Sequence, residues 1–312
     1  MKANNTGANL GRNKTTWQRM LEYKHIYIIL LPTLLYYLIF KYIPMFGNII
    51  AFQKYSITKG FLASRFVGFG NFVEFLTNYK FWELLRNTLS INFYNLLFGF
   101  PAPIILALLL NEVRNYRFKK SVQTITYMPH FISTVVMASL ILTFVASDGF
   151  INGIREMLGL NSIAFMTEPK YFVGIYVISG IWQGVGWSSI IYIANISSID
   201  QELYEAATID GASRFQQARY ITIPGITETI VILLIMNIGQ MLSLGYEKII
   251  LLYNPSIYET ADVISTYVYR RGLLEGDYSY SAAVGMFNSV INFALLMSAN
   301  KVSNKLRGSG LW

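Results

Sequence analysis

The sequence predicts an all-α polytopic membrane protein with six transmembrane helices and a cytosolic helix–turn–helix loop between helices 4 and 5. Three observations support this fold class. Hydrophobic residues make up 54% of the 312 residues and charged residues only 13%, about half the usual charge of a globular domain. Six apolar runs reach the length of about 20 residues that a helix needs to cross a bilayer. The net positive charge falls on one set of alternate segments, which hold more lysine and arginine than the other set, and this asymmetry orients membrane helices.

These observations divide the chain into a cytosolic N-terminal arm (1–25), a six-helix transmembrane domain (26–300) and a cytosolic C-terminal tail (301–312). The six predicted spans are about 26–44, 87–110, 121–147, 171–197, 225–246 and 280–300. With the N-terminus inside, the net charge of +8 falls entirely on the cytosolic side. Anionic lipid head groups are a sufficient partner for this charge, so no nucleic acid is expected.

Several kinds of chemistry are missing from the sequence. The chain has no cysteine and only two histidines, so neither a thiolate nor a histidine-built metal centre is expected. It has no GxxxxGK[ST] phosphate loop, and no HExxH, CxxC or GxSxG motif. We therefore expect no catalytic residue, no bound cofactor and no ATP site on this chain, and a membrane-embedded enzyme has no support.

The loop after the fourth predicted span, 198–224, has the pattern of two short helices around a glycine. Capping-box spacing occurs at two pairs of residues, Ser198–Gln201 and Ser213–Gln216. Between them, Gly211 suits the left-handed end of a helix. Pro224 suits the first turn of the next helix, where its missing N–H is not needed.

Within this loop, a spaced motif covers twenty residues: Glu205, Ala206, Ala207, Asp210, Gly211, Ala212, Phe215, Ile221 and Pro224. The motif resembles the EAA loop of binding-protein-dependent ABC importer permeases. Other stretches narrow the resemblance to lipoprotein-associated polysaccharide-type permeases of the carbohydrate importer group. These stretches are YMPHFIS (127–133), YSYSAAVGMFNSVINF (278–293) and the C-terminal GLW. VGFGNF (67–72) resembles the pattern ahead of the second helix in carbohydrate importer permeases more generally.

The resemblance implies a permease subunit of an ATP-binding cassette importer for a sugar or oligosaccharide, in a bacterial inner membrane with both termini cytosolic. It assigns ATPase coupling to Glu205, Ala206, Ala207, Asp210, Gly211, Arg214, Phe215 and Pro224. It also implies three kinds of partner. These are a second, homologous permease forming a heterodimer, two copies of a cytosolic ATPase that bind ATP and Mg, and an external solute-binding protein.

Polar residues inside the predicted spans are candidates for the substrate path, because each costs energy in lipid unless it faces protein or water. Amides hydrogen-bond sugar hydroxyls, and flat rings cover the apolar faces of pyranoses. The candidates are Gln183, Trp187, Asn237, Gln240, Asn288 and Asn292. For any single one, a hydrogen bond between helices is the simpler alternative. Three glycines of the fourth span are expected to permit close helix packing: Gly180, Gly184 and Gly186.

Two questions stay open at the level of sequence. The long outer loop, 247–279, either contacts the solute-binding protein or packs over its own helices. The function has two alternatives: an ATP-independent secondary transporter or channel, or an importer permease for a solute other than a sugar. The first alternative ranks behind because the spans offer little to build an ionisable relay beyond His130 and Glu228.

Overall fold

The structure is a computed structural model that describes residues 22–307 and 310–311. Six helical segments are long and apolar enough to cross a membrane: Lys24–Phe52, Phe81–Glu112, Thr134–Met157, Pro169–Ile196, Arg214–Ile238 and Tyr278–Lys305. The segment Thr134–Met157 consists of two helices separated by a turn at 146–149. The fold class predicted from hydropathy is therefore confirmed. Most of the predicted N-terminal arm, residues 1–21, lies outside the described residues, as does the final Trp312 of the tail.

The described residues form helices connected by short turns. In chain order the helices are α1 (Lys24–Phe52), α2 (Gly60–Ala63), α3 (Gly70–Leu76), α4 (Phe81–Glu112), α5 (Tyr116–Tyr127), α6 (Thr134–Val145), α7 (Phe150–Met157), α8 (Pro169–Ile196), α9 (Gln201–Ile209), α10 (Arg214–Ile238), α11 (Tyr246–Leu252), α12 (Tyr258–Ala261), α13 (Ile264–Tyr269) and α14 (Tyr278–Arg307). Short 3₁₀ helices lie at Met128–Phe131 and Pro255–Ile257. Strands β1 (Gln53–Lys54) and β2 (Arg65–Phe66) pair antiparallel, a small element that the helical prediction did not include.

Three long helices contain a π turn that ends two residues before a proline. The turns are Leu38–Tyr42, Asn95–Gly99 and Ala218–Thr222, and the prolines are Pro44, Pro101 and Pro224. In each case the residue before the proline donates its N–H to the carbonyl five residues earlier. A proline ring clashes with the carbonyl four residues back, and the wider turn relieves that clash while the helix continues.

Pro224 accordingly lies in the first turn of a regular α-helical segment, Ile223–Ile238, as predicted. That segment is continuous with the short helix before it, so the second helix of the predicted loop and the fifth span form one helix, α10. The fifth helix ends at Ile238, although the sequence predicted a span to residue 246. Residues 239–246 turn back into the protein, where Leu242 and Leu244 are buried.

The third predicted span, 121–147, differs most from the structure. It is interrupted after α5 by the 3₁₀ turn around Pro129, and α6 begins only at Thr134. Ser133 starts that helix by accepting a hydrogen bond from the N–H of Val136. A proline followed by a good N-cap residue ends one helix and starts another, which an average over hydropathy does not detect.

The sixth helix also exceeds its predicted limits. Because α14 runs to Arg307, Lys301 and Lys305 lie on the last turns of that helix and not in a separate tail. At the other end of the chain, the Lys24–Tyr37 part of α1 buries no residue against the rest of the described chain.

The core lies where the outer loop folds back into the bundle. Ile249 and Leu252 of α11 are buried in one cluster with Phe172 and Val177 of α8. The loop is also held by polar groups, since the side chain of Asn87 donates to the backbone carbonyl oxygen of Asp262 at 2.9 Å. Residues 247–279 therefore pack over the chain's own helices, and their contact with a solute-binding protein stays a prediction.

Candidate functional site

The loop between α8 and α9 starts differently from its prediction. Asp200 is the N-cap of α9, and its carboxylate accepts the backbone N–H of Glu202 at 3.0 Å. Ser198 instead donates its hydroxyl to the carbonyl of Asn195 at 2.7 Å, so the Ser198–Gln201 capping box is wrong. Serine and aspartate both cap helices well, and the extended backbone of Asp200 decides between them.

The turn between α9 and α10 has the predicted form. Gly211 has φ +78°, a left-handed conformation that glycine adopts at little cost. The N–H of Ala212 donates to Ala207 and that of Gly211 to Thr208, which is the Schellman pattern of a helix end. Ser213 then caps α10 with the predicted capping box to Gln216.

Side-chain hydrogen bonds fix the two helices against each other. The hydroxyl groups of Tyr204 and Thr222 lie 2.9 Å apart. The amide of Gln217 donates to the hydroxyl of Thr208 at 3.0 Å. Because each bond joins α9 to α10 across the turn, the helix–turn–helix is a defined shape and not a loose loop.

The outer surface of this helix–turn–helix is exposed and partly apolar. Ile209 and Phe215 are 87% and 76% exposed. Arg214 reaches sideways to the end of α4, where it pairs with the carboxylate of Glu112 at 3.2 Å. Of the residues predicted to couple to an ATPase, seven are exposed and Ala207 is half-buried; the exposed ones are Glu205, Ala206, Asp210, Gly211, Arg214, Phe215 and Pro224.

A cavity of about 440 Å³ lies between α4, α8 and α10. Three amides line it: Asn92 and Asn95 of α4, and Asn237 of α10. Trp187 of α8 lies in the wall and stacks on His130, with ring centres 4.5 Å apart and planes within 3°. The cavity therefore offers amides and an aromatic ring, the chemistry that the sequence predicted for a sugar path.

The structure brings only two of the six predicted path residues, Trp187 and Asn237, to this cavity. The amide of Gln183 instead donates to the carbonyl of Ile132 at 3.3 Å. Gln240 lies in the turn after α10, so its predicted place on the fifth helix is wrong.

The two asparagines of the sixth span also lie elsewhere. Asn292 is buried, accepts the N–H of Leu242 and donates to Ser243, which makes it a structural support for the turn after α10. Asn288 lines a separate cavity of about 400 Å³. For Gln183 and Asn292, the structure therefore shows the simpler alternative, a hydrogen bond within the protein.

Sequence reasoning missed Asn92 and Asn95, although two amides three residues apart in an apolar run were a usable signal. It also grouped three glycines that have different surroundings. A Cβ on Gly186 would lie 2.1 Å from the carbonyl oxygen of Thr126, so this glycine permits close packing of α8 on α5. Gly180 and Gly184 instead line the cavity.

Lys248 of α11 is a half-buried cation beside the cavity wall. Its Nζ donates to the carbonyl oxygen of Tyr176 at 3.2 Å and lies 4.7 Å from the centre of the Tyr176 ring. Burial lowers the pKa of Lys248 to about 8. Within the part of the chain that the structure describes, no group of three or more metal-ligating side chains is present.

Comparisons with known proteins agree with this geometry. A family model described as "Binding-protein-dependent transport system inner membrane component" matches residues 99–307. Protein LplB of Bacillus subtilis (strain 168) is 44% identical over 95% of this chain and 94% of its own length. The polygalacturonan/rhamnogalacturonan transport system permease protein YteP of the same organism is 44% identical over 94% of this chain and 92% of its own length.

A solved structure is similar over nearly the whole chain. It is the crystal structure of a bacterial alginate ABC transporter in complex with alginate pentasaccharide-bound periplasmic protein. One of its chains is 42% identical and has a TM-score of 0.87, over 96% of this chain and 100% of that chain.

Proposed function

This chain belongs to the family of binding-protein-dependent transport system inner membrane components, and we propose that it is a permease subunit of an ATP-binding cassette importer for an oligosaccharide. Its relatives include a polygalacturonan/rhamnogalacturonan permease and an alginate transporter. The cavity with Asn92, Asn95, Asn237 and Trp187 is the proposed path for the sugar.

The observation that carries the proposal is the exposed, hydrogen-bonded helix–turn–helix of α9 and the start of α10. Apolar side chains such as Ile209 and Phe215 are left in solvent at the ends of rigid elements, which is a costly arrangement without a partner. We assign this surface to contact with an ATPase subunit. Glu205 is exposed beside it and is assigned to a basic residue of that ATPase.

The remaining partners follow from this assignment. One chain supplies half a translocation path, so a second, homologous permease completes it as a heterodimer. Two ATPase copies, carrying ATP and Mg, dock on the two coupling loops, and a solute-binding protein delivers the sugar from outside. We infer that the coupling loop and both termini lie in the cytosol, since the net positive charge of the chain falls on that side.

Copurification of the ATPase tests the proposal. An acidic residue at Ile209 introduces a charge into the proposed contact, so Ile209→Asp is expected to reduce the ATPase recovered with the tagged chain by at least about tenfold. Leu62→Asp is the matched control, because Leu62 is likewise strongly exposed but lies on α2, far along the chain from the coupling loop. Equal recovery of the ATPase with both variants would refute the assignment.

A further inference from the structure

The turn Met128–Phe131 between α5 and α6 is fixed to α8 from both sides. Just before the turn, a backbone carbonyl oxygen of α5 lies 2.1 Å from the position of a Cβ on Gly186. Just after it, a backbone carbonyl oxygen accepts the side-chain amide of Gln183 at 3.3 Å. Pro129 is buried within the turn. Because both contacts lie within one turn of α8, the 3₁₀ turn cannot shift along that helix without breaking at least one of them.

Two rings of this turn hold the indole of Trp187. The imidazole of His130 covers one face of the indole, with ring centres 4.5 Å apart and planes within 3°. Phe131 is nearly perpendicular to both rings and lies 5.6 Å from the centre of each. Since Phe131 is equally far from two stacked rings, it lies beside the stack. One face and one side of the indole are therefore occupied, and the opposite face is free of both rings.

Burial alone does not fix this indole in place. Trp187 is 46% exposed, and an exposed side chain exchanges among its staggered rotamers unless a neighbour holds it. A stacked pair of rings supplies such a hold, beyond the area that it buries. Among the described residues, Trp187 lines the cavity and His130 does not. The covered face is therefore not the surface that the indole offers to the cavity.

We propose that His130 is a positioning residue that holds Trp187 ready to stack on a sugar ring in the cavity. This role rests on the proposed transport function and deepens it, because it gives the stretch YMPHFIS (127–133) a part in substrate binding. An indole free to visit about three χ1 wells occupies the competent one about a third of the time, which weakens the apparent affinity about threefold. The stack removes this loss before the sugar arrives.

The first readout is the mobility of the ring at position 187, and it needs no sugar. Hydroxytryptophan replaces Trp187 alone in the complete transporter in nanodiscs, and it is excited where ordinary tryptophan does not absorb. Time-resolved fluorescence anisotropy then reports how far the ring swings on the nanosecond timescale. His130→Leu is expected to lower the residual anisotropy at least about twofold. His130→Phe keeps a flat ring and is expected to restore it.

The matched control is Tyr269→Leu. It removes one ring of another stacked pair, formed with Tyr246 at 5.1 Å, and neither of these rings lines the cavity. Tyr269→Leu is therefore expected to leave the anisotropy at position 187 unchanged.

The second readout is the amount of sugar imported per ATP hydrolysed. It is measured in proteoliposomes that contain the complete transporter and its solute-binding protein, with trigalacturonate as the probe. A cavity that holds the sugar less well returns more of it to the outside, so His130→Leu is expected to import about threefold less sugar per ATP. A merely structural residue would lower uptake and ATP hydrolysis together and leave their ratio unchanged. His130→Phe should keep the wild-type ratio.

The outcomes are distinct. Wild-type anisotropy in His130→Leu overturns the proposal, and so does a lower anisotropy with an unchanged ratio of sugar to ATP. A fall in both, restored by His130→Phe, supports it. Gln183→Met removes one anchor of the turn and is expected to lower the anisotropy in the same direction, so it decides the question if His130→Leu does not assemble. If the wild type imports no trigalacturonate, the anisotropy alone decides.

The transport function is judged separately, by ATPase copurification with the Ile209→Asp variant. That result does not depend on the ring at position 187, so the two proposals can fail independently.

Discussion

Substitution of Gly211 by valine tests how far the coupling loop depends on its turn. Gly211 has φ +78°, where a residue with a side chain is strained by about 1–2 kcal/mol and a β-branched one by at least the upper value. No atom lies within 4 Å of an added Cβ, so the expected effect comes from backbone strain and not from a clash at that carbon. The cross-turn hydrogen bonds of Tyr204 and Gln217 contribute about 1 kcal/mol each. A strain of about 2 kcal/mol therefore offsets them.

If the ATPase binds the turn only in this conformation, Gly211→Val weakens its binding by up to about 30-fold. The assay is equilibrium binding of the purified ATPase subunit to the permease complex in nanodiscs. Gly211→Asn is the control, since asparagine adopts the left-handed conformation more readily. Equal dissociation constants for the valine and asparagine variants would show that the turn geometry does not matter to docking.

Three further changes test other parts of the structure. Gly186→Ala should lower the unfolding free energy by about 1–3 kcal/mol because its methyl overlaps the α5 backbone, whereas Gly184→Ala should not; thermal unfolding in detergent compares them. Arg214→Ala removes the exposed ion pair with Glu112, so amide exchange in the coupling loop should be less than about fivefold faster than in the control Arg219→Ala. A larger increase would show that the ion pair is a main support of the loop. Lys248→Met should raise the melting temperature at pH 7, because a lysine whose pKa falls from 10.5 to about 8 on folding opposes folding while charged. That gain in melting temperature should shrink as the pH rises from about 8 to 10.5. A gain that does not change with pH would contradict the lowered pKa of Lys248.

Local chemistry predicted the coupling loop well. The left-handed Gly211 and the Ser213–Gln216 capping box depend on residues within a few positions, and both are confirmed. The predicted N-cap of α9 was wrong by two residues, because Ser198 and Asp200 are equally good caps. Short-range signals therefore fix the kind of element better than its first residue.

Hydropathy predicted six spans but not how apolar segments divide between lipid and protein. Residues 239–246 were predicted to belong to the fifth span, yet they form a turn in which the N–H of Leu242 donates to Asn292, fifty positions later. Separation in sequence also explains why most of the predicted path residues were misplaced. Whether an amide such as Gln183 or Asn237 meets a cavity or a backbone carbonyl depends on helices that are remote in sequence.

The continuity of α10 has a mechanical consequence. Its 25 residues, Arg214–Ile238, make a rod of about 37 Å that begins at the proposed ATPase contact and ends beside the cavity. A tilt of about 10° about one end displaces the other by about 6 Å, comparable to the width of a sugar ring. The helix is continuous through its π turn at Ala218–Thr222, so such a displacement would reach Asn237 without first passing through a loop. In this geometry the helix works as a lever arm.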